Sequence, residues 1–410
     1  MEKRSCVIVM ENLPVPLDRR VWQEALALRR AGWQVSVICP ANGRHPQKFE
    51  QLEGIAIYRH HLPLEARGRF GFVLEYTVAL FHEFRLLLKV WRERGFHVIQ
   101  ACNPPDLIFL VAAPFKLLGK PFLFDHHDVN PELFEAKFNR RGLLHRLLLF
   151  FEKCTFLMAD VVVSANDTYR DLAISRGGKR PEDVVTVYGI PDKSHIHRVE
   201  PDAALRKGKK FVLGYVGVIS DQDGIDHMVM AVDDLVHGKD FTDFHAVIVG
   251  DGPALGSARK LARRRGLGEF ITFTGFLSGE ALLRHLSTFD IGIIPDPVNP
   301  YNDKISMNKV FEYSELGIPS VAYPLSETRR LLADAGVYAE GDTPADLADA
   351  CFRLITDDGL RARCADHAIW LGNNAFSWER EAEKFVAAFE RLASDEPRPI
   401  AAPVKTALKQ

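Results

Sequence analysis

A cation and a carboxylate stand one helical turn apart in KVFEY (309–313), where Lys309 and Glu312 follow the loop DPVNPYNDKISMN. Two chemistries fit that pair. On a solvated helix it is an ordinary salt bridge. Just inside a helix start it suits a phosphorylated ligand, because unpaired backbone N–H groups and the positive end of the helix dipole favour an anion there. A second polar run, FDHHDVNPE (124–132), suggests a metal site. Neighbours on an extended segment point to opposite faces, however, so its four polar residues do not converge on one ion. His127 is left either as a satisfied structural histidine or as a group facing a ligand, and His126 reads as structural. Arg19 and Arg20 open the first helical segment. They are either solvated or in reach of phosphate.

These residues need elements to hold them. Short β-branched runs alternate with longer helical patterns along the chain: SCVIVM, WQVSVICP, GIAIYRH, HVIQA, PFLFD and DVVVSA in the first half, then FVLGYVGV, DFHAVIVG, FITFTG, DIGIIP and PSVAYP. The segment RRVWQEALALRRAG repeats apolar residues at three- and four-residue spacing and ends at Gly32. Such alternation predicts parallel sheets with helices on both faces. The pattern breaks over IPDKSHIHRVEPDAALRKGKK near residues 190–210, which reads as a linker. The expected organisation is a first domain over 1–195, a second over 196–375, a helix over 376–393, and a disordered proline-rich tail over 394–410. In open α/β sheets ligands sit at the carboxyl ends of strands, where FDHHD, GYVGVISDQDG, VGDGP, FTGF and PDPVNP all fall.

The composition excludes several classes. A length of 410 residues exceeds what one core usually serves, and 47% hydrophobic with 26% charged residues is ordinary for a globular chain. A net charge of -2 gives no footprint for nucleic acid. The six cysteines are dispersed, forming neither a metal pair nor a disulfide framework, and fit buried reduced thiols. The start MEKRSCVIVMENLP has too short an apolar run for a signal peptide, and no stretch reaches transmembrane length, so a cytoplasmic protein is expected. The segment 139–158, NRRGLLHRLLLFFEKCTFLM, is basic and then strongly apolar. It is either a buried helix or a face for a membrane surface, with Arg140, Arg141 and Arg146 toward anionic lipid.

In order and spacing, Gly217, GDGP (250–253), Phe273 with Gly275, KVFEY (309–313) and GIPSVAY (317–323) resemble the retaining glycosyltransferases of the GT-B fold, family four. The resemblance covers nearly the whole chain. It implies two Rossmann-like doubly wound domains facing a central cleft, with a final helix crossing back to the first domain. It also implies transfer of a sugar from a nucleoside diphosphate sugar to a hydroxyl acceptor. The implied acceptor is a saccharide or a lipid-linked saccharide of exopolysaccharide or O-antigen synthesis, at the inner face of the cell membrane. Glu312 would accept the ribose hydroxyls and Lys309 would reach the diphosphate, with the amides near Asn308. The strand-end glycines Gly217 and Gly250 would border the donor, and Phe276 and Leu277 would face the base. His127 would face the donor sugar, with Glu312 the second residue carried over as catalytic, while Asp128, Arg19 and Arg20 would belong to the acceptor or phosphate loop.

Two departures from the family pattern bear on the donor. Lys304 stands where many members carry a glutamate eight residues before the ribose-binding one, and the loop SDQDG carries no cation, which leaves Lys309 and Arg329 to neutralise the diphosphate. Asp221-Gln222-Asp223 matches the D-x-D of metal-dependent enzymes on another fold, but cations replace the metal in this architecture. No metal and no cofactor are therefore expected. The rivals are a nucleotide-sugar epimerase and a non-catalytic nucleotide-binding scaffold of a polysaccharide-assembly complex. The lack of G-x-G-x-x-G after the first strand of either half argues against a nicotinamide enzyme.

Overall fold

The computed structural model describes residues 4–61, 68–138 and 140–394, with backbone alone for 68–76. The tail expected to be disordered lies, apart from Ser394, outside the described residues. The chain divides into two units. One runs up to Gly189 and resumes at Glu379; the other spans Ile190–Trp378.

The first unit alternates strand and helix: β1 (Ser5–Val9), α1 (Arg19–Arg30), β2 (Gln34–Pro40), β3 (Phe49–Leu52), β4 (Ile55–His60), α2 (Gly68–Glu93), β5 (Val98–Cys102), α3 (Phe109–Leu117), β6 (Phe122–His126), α4 (Asn130–Phe138), α5 (Leu143–Met158), β7 (Val161–Ser164), α6 (Asp167–Ser175) and β8 (Val184–Thr186). The sheet order is β3-β4-β2-β1-β5-β6-β7-β8. All its pairs are parallel except the β3–β4 hairpin at one edge. Strands covered on both faces must be apolar throughout, and β1, β5, β6 and β7 are buried at every residue. Asp18 caps α1 by accepting from the Val21 N–H at 3.0 Å, which starts the helix where the loop after β1 ends.

The second unit contains β9 (Phe211–Val216), α7 (Ile225–Asp233), β10 (Phe244–Val249), α8 (Leu255–Arg264), β11 (Ile271–Gly275), α9 (Gly279–Thr288), β12 (Ile291–Ile294), α10 (Asn308–Glu315), β13 (Ser320–Ala322), α11 (Ser326–Leu332), β14 (Gly336–Tyr338), α12 (Pro344–Thr356) and α13 (Asp358–Trp370). Its order is β11-β10-β9-β12-β13-β14, again parallel. Both sheets therefore reverse direction beside their first strand, at β1/β5 and at β9/β12. Those are the crevices where this architecture binds ligands.

The last helix, α14 (Trp378–Leu392), belongs to the first unit from Glu379 onward. Phe385 and Phe389 are fully buried, and Phe389 meets Trp33 edge-on at 5.5 Å. Glu381 accepts from the Tyr188 N–H at 2.9 Å, and Arg391 pairs with Asp183 at 2.6 Å.

Candidate functional site

At the β9/β12 crevice the two strands pair only through Ile291–Leu213 and Gly292–Gly214, then separate. Tyr313 fills the gap: its hydroxyl accepts from the Val216 N–H at 3.2 Å and donates to the Gly214 carbonyl at 3.1 Å, so the ladder groups freed by the split are satisfied. That anchors α10, whose residues Lys309 to Ser314 are all buried. A solvated helix surface is thereby excluded for the Lys309–Glu312 pair. Lys309 is instead bound to Asp296, at 2.7 Å between two buried side chains, with its ammonium 5.0 Å from the centre of the Tyr215 ring. Burial raises the Asp296 carboxyl above its ordinary range, and Lys309 offsets part of that shift. Glu312 is also buried, one turn along the same helix. Asp296 went unnoticed in the sequence because its partner lies 13 residues ahead across a proline-rich loop.

The glycines have steric reasons. Gly250 sits at φ 147, and a Cβ there would lie 1.8 Å from the Gly217 carbonyl oxygen; a Cβ on Gly252 would lie 2.3 Å from that of Ile219. The turns after β9 and β10 thus close on each other backbone to backbone, with Gly217 donating to Val249 and Ile219 to Asp251. Val218, Phe276 and Val298, from the loops after β9, β11 and β12, are exposed, and Leu277 is half-buried. At the start of α10, Asn308 is exposed and Met307 makes no side-chain cap. Ser306 donates to Glu327 at 2.8 Å, and Lys304 turns to the Pro300 carbonyl. Asp223 is spent on a capping box with Ser220, accepting its N–H at 2.8 Å. Arg329 lies elsewhere: its guanidinium stacks 4.7 Å from the Tyr338 ring and lines an open hollow at the β14 edge with Glu340 and Arg353. None of the other donor-binding candidates lines that hollow.

At the β1/β5 crevice the first unit gathers a buried network around His127. Its Nε2 lies 2.7 Å from Asp125 Oδ2. Arg20 reaches Asp125 Oδ1 at 3.0 Å, the Val187 carbonyl at 2.8 Å, His127 Nε2 at 3.0 Å and Glu24 Oε1 at 3.1 Å. Gln100 donates to both carboxyls at 2.9 Å. Burial alone would raise Asp125, but His127 and Arg20 hold it well below the usual carboxylate range. Burial, with Asp125 beside it, pushes Glu24 well above that range. The two buried carboxyls are thus pushed in opposite directions, Asp125 toward the charged form and Glu24 toward the neutral one. His127 Nε2 is engaged by both Asp125 Oδ2 and the Arg20 Nε–H, and the tautomer decides whether it donates to the carboxylate or accepts from the guanidinium; Nδ1 is used by neither contact.

Arg20, expected at a phosphate or acceptor loop, is instead held inside this network between Asp125, Glu24 and the Val187 carbonyl. Arg19 stays exposed at the helix start. The Asn103 side chain fixes the backbone after β6, accepting from the His127 and Asp128 N–H groups at 2.8 and 3.1 Å and donating to the Asp128 carbonyl at 2.7 Å. A small cavity lined by Glu11, Asn12, Asp18, Cys102, His127 and Asp128 opens there. His126 is buried among Phe124, Phe156 and Tyr169, and burial holds its pKa down near 3. Among the described residues, Cys102, Asp125 and His127 bring metal-capable atoms within 4.8 Å of one another. The Arg20 guanidinium, 3.0 Å from two of them, already supplies a cation there.

Two family models map onto these two halves: residues 17–189 match the glycosyl transferase 4-like domain, and residues 210–357 match glycosyl transferases group 1. The chain belongs to the GT-B glycosyltransferases of the family-four type. The alpha-D-kanosaminyltransferase of Streptomyces kanamyceticus is 28% identical over 191 residues, 43% of this chain and 45% of that protein, so the match spans less than half of that relative. The 2-deoxystreptamine glucosyltransferase of the same organism is 25% identical over 323 residues, 75% of this chain and 81% of that protein. Among solved structures, Anabaena HepE in complex with UDP superposes with a TM-score of 0.71 over 94% of this chain and 99% of that one. At 16% identity that likeness speaks for the fold alone. Within this GT-B family-four chain, the sequence singled out His127 and Glu312. It gave no role to Asp125, Asn103, Glu24 and Asp296, each of which bonds a residue 13 or more positions away. The polar letters in CNPPD (102–106), directly after an apolar strand, were the available signal for Asn103.

Proposed function

We propose that the chain transfers a sugar from a nucleoside diphosphate sugar to an acceptor hydroxyl, with retention at the anomeric carbon and without a metal. Glu312 holds the ribose by charge-assisted hydrogen bonds. Lys309 contacts the diphosphate with donors left over from Asp296, since an ammonium has three. His127 presents Nδ1 to the reacting sugar, and the leaving diphosphate takes the acceptor proton, so the protein mainly supplies placement and charge stabilisation. The observation that carries the reading is the buried Glu312 and Lys309 on one helix at the strand crevice of the domain that matches the group 1 model. The acceptor is a lipid-linked saccharide of surface-polysaccharide synthesis, met at the inner face of the membrane. A second acceptor class, a soluble amino-sugar or aminocyclitol, is favoured by the 2-deoxystreptamine named for a relative.

Calorimetry with UDP, GDP and TDP tests the donor side. One of them should bind, and Glu312→Gln should weaken it by about 1–3 kcal/mol, the worth of a charged hydrogen bond. Unchanged affinity in a folded variant would remove Glu312 from the site. Transfer should also survive excess EDTA. Loss restored by Mn²⁺ would overturn the metal-free reading.

A further inference from the structure

Soluble helices turn polar faces outward, and α5 does the reverse. Its inner face packs Glu152, Thr155 and Phe156 into the first unit. Its outer face repeats Leu143, Leu147, Phe150, Cys154 and Leu157, spaced four, three, four and three residues apart, one stripe along the whole helix. The stripe is open: Leu143 is 73%, Phe150 59% and Leu157 63% exposed, with Cys154 half-buried. The patch extends at the far end, where Lys116 of α3 pairs with Asp160 just past α5 at 2.7 Å, and the next residues, Leu117 and Leu118, are 89% and 60% exposed. A monomer pays for exposing so much contiguous apolar surface unless something covers it.

The charges say what covers it. Arg146 and Lys153, exposed and seven residues apart, fall on one flank of the stripe, and Arg140 and Arg141 lead into the helix. Arg141 is matched by Glu135, and the acidic residue of the helix, Glu152, is turned inward onto Arg176. The outer face of α5 itself is therefore apolar with cations alone. Two copies of one face would bring like charges together, whereas a helix lying in an interface plane with leucine and phenylalanine down and basic residues beside them suits anionic headgroups.

We propose that the outer face of α5, continued by the end of α3, docks the protein on an anionic lipid bilayer, with Leu143, Leu147, Phe150 and Leu157 entering the acyl boundary and Arg146 and Lys153 on the headgroups. The helix lies on the membrane and does not span it. No helix among the described residues is long and apolar enough to cross one. This docking is separate from the donor chemistry, because none of its residues belongs to either crevice.

The test is co-sedimentation of the full chain with phosphatidylcholine vesicles and with vesicles containing phosphatidylglycerol. Binding should require the anionic lipid and weaken with salt. L147S/F150S should lower partition at least about tenfold, since each side chain forfeits several buried methylene groups, and R146E/K153E should remove the preference for anionic lipid. Both variants replace exposed groups, so nucleotide binding should stay at the native level; its loss in the native chain too would fault the donor reading and leave the docking result standing. Equal sedimentation of native chain and L147S/F150S would overturn the proposal. So would absence of vesicle binding together with a dimer, seen by light scattering, that the same substitutions dissolve.

Discussion

His127 and Lys309 carry opposite kinds of commitment. His127 is held by groups that leave one ring nitrogen unspent, whereas the Lys309 ammonium neutralises a buried aspartate before any ligand arrives. Removing one partner of a buried pair strands the other charge, so Lys309→Ala should cost about 3–5 kcal/mol of stability as well as nucleotide affinity. His127→Ala should instead lower kcat while nucleoside diphosphate binding stays near native, because the two residues belong to different units. Urea denaturation beside calorimetry and a steady-state assay separates the two. A stable Lys309→Ala, or a His127→Ala that loses the nucleotide, would break this assignment. At this scale the sequence was readable where a functional group follows a strand directly, as His127 does. It was mute where the partner comes from a distant strand or loop, as Asp125 does for Arg20 and Asp296 for Lys309.

Strand ends decide what the elements can do. Gly250→Ala would drive a methyl group into the Gly217 carbonyl at a backbone angle that alanine rarely adopts. It should destabilise the second unit by more than about 2 kcal/mol and abolish nucleotide binding, readable as a lowered urea midpoint; a native-like midpoint would show that the two turns separate easily. The parallel strands and the helices between them were legible because buried strands are written as unbroken apolar runs. The short β3, β8 and β14 were not, since three or four residues at a sheet edge carry too little pattern. The outer face of α5 was legible only as apolar letters. Whether such letters face inward or outward is settled by what packs against the helix, which periodicity does not record.

Across the whole molecule, buried ionisable groups narrow the pH range of stability from both sides. Burial holds His60 near 4 and His126 near 3, against 6.5 in the open chain. The unfolded chain then binds more protons in that window, and stability falls as pH drops below about 6.5. Glu83 acts in the other direction. It is fully buried, neither oxygen has a hydrogen-bond partner among the described residues, and burial, with Glu11 nearby, raises its pKa to about 8 from 4.5. The folded state keeps that proton where the unfolded state has lost it, so stability declines as pH rises from 4.5 to 8. Glu83→Gln should flatten the alkaline decline in urea midpoint between about pH 6 and pH 8 and leave the acid limb as it was; an unchanged alkaline limb would mean that Glu83 is ionised in the fold. The passage of α14 into the first unit has a consequence of another kind, in the order of biosynthesis. Phe385, Phe389 and Arg391 emerge from the ribosome after the entire second unit, at ordinary rates about 10–40 s after Gly189. Until then Trp33 and Asp183 lack the partners that cover them. The first unit must wait, incomplete, until the whole of the second has been made.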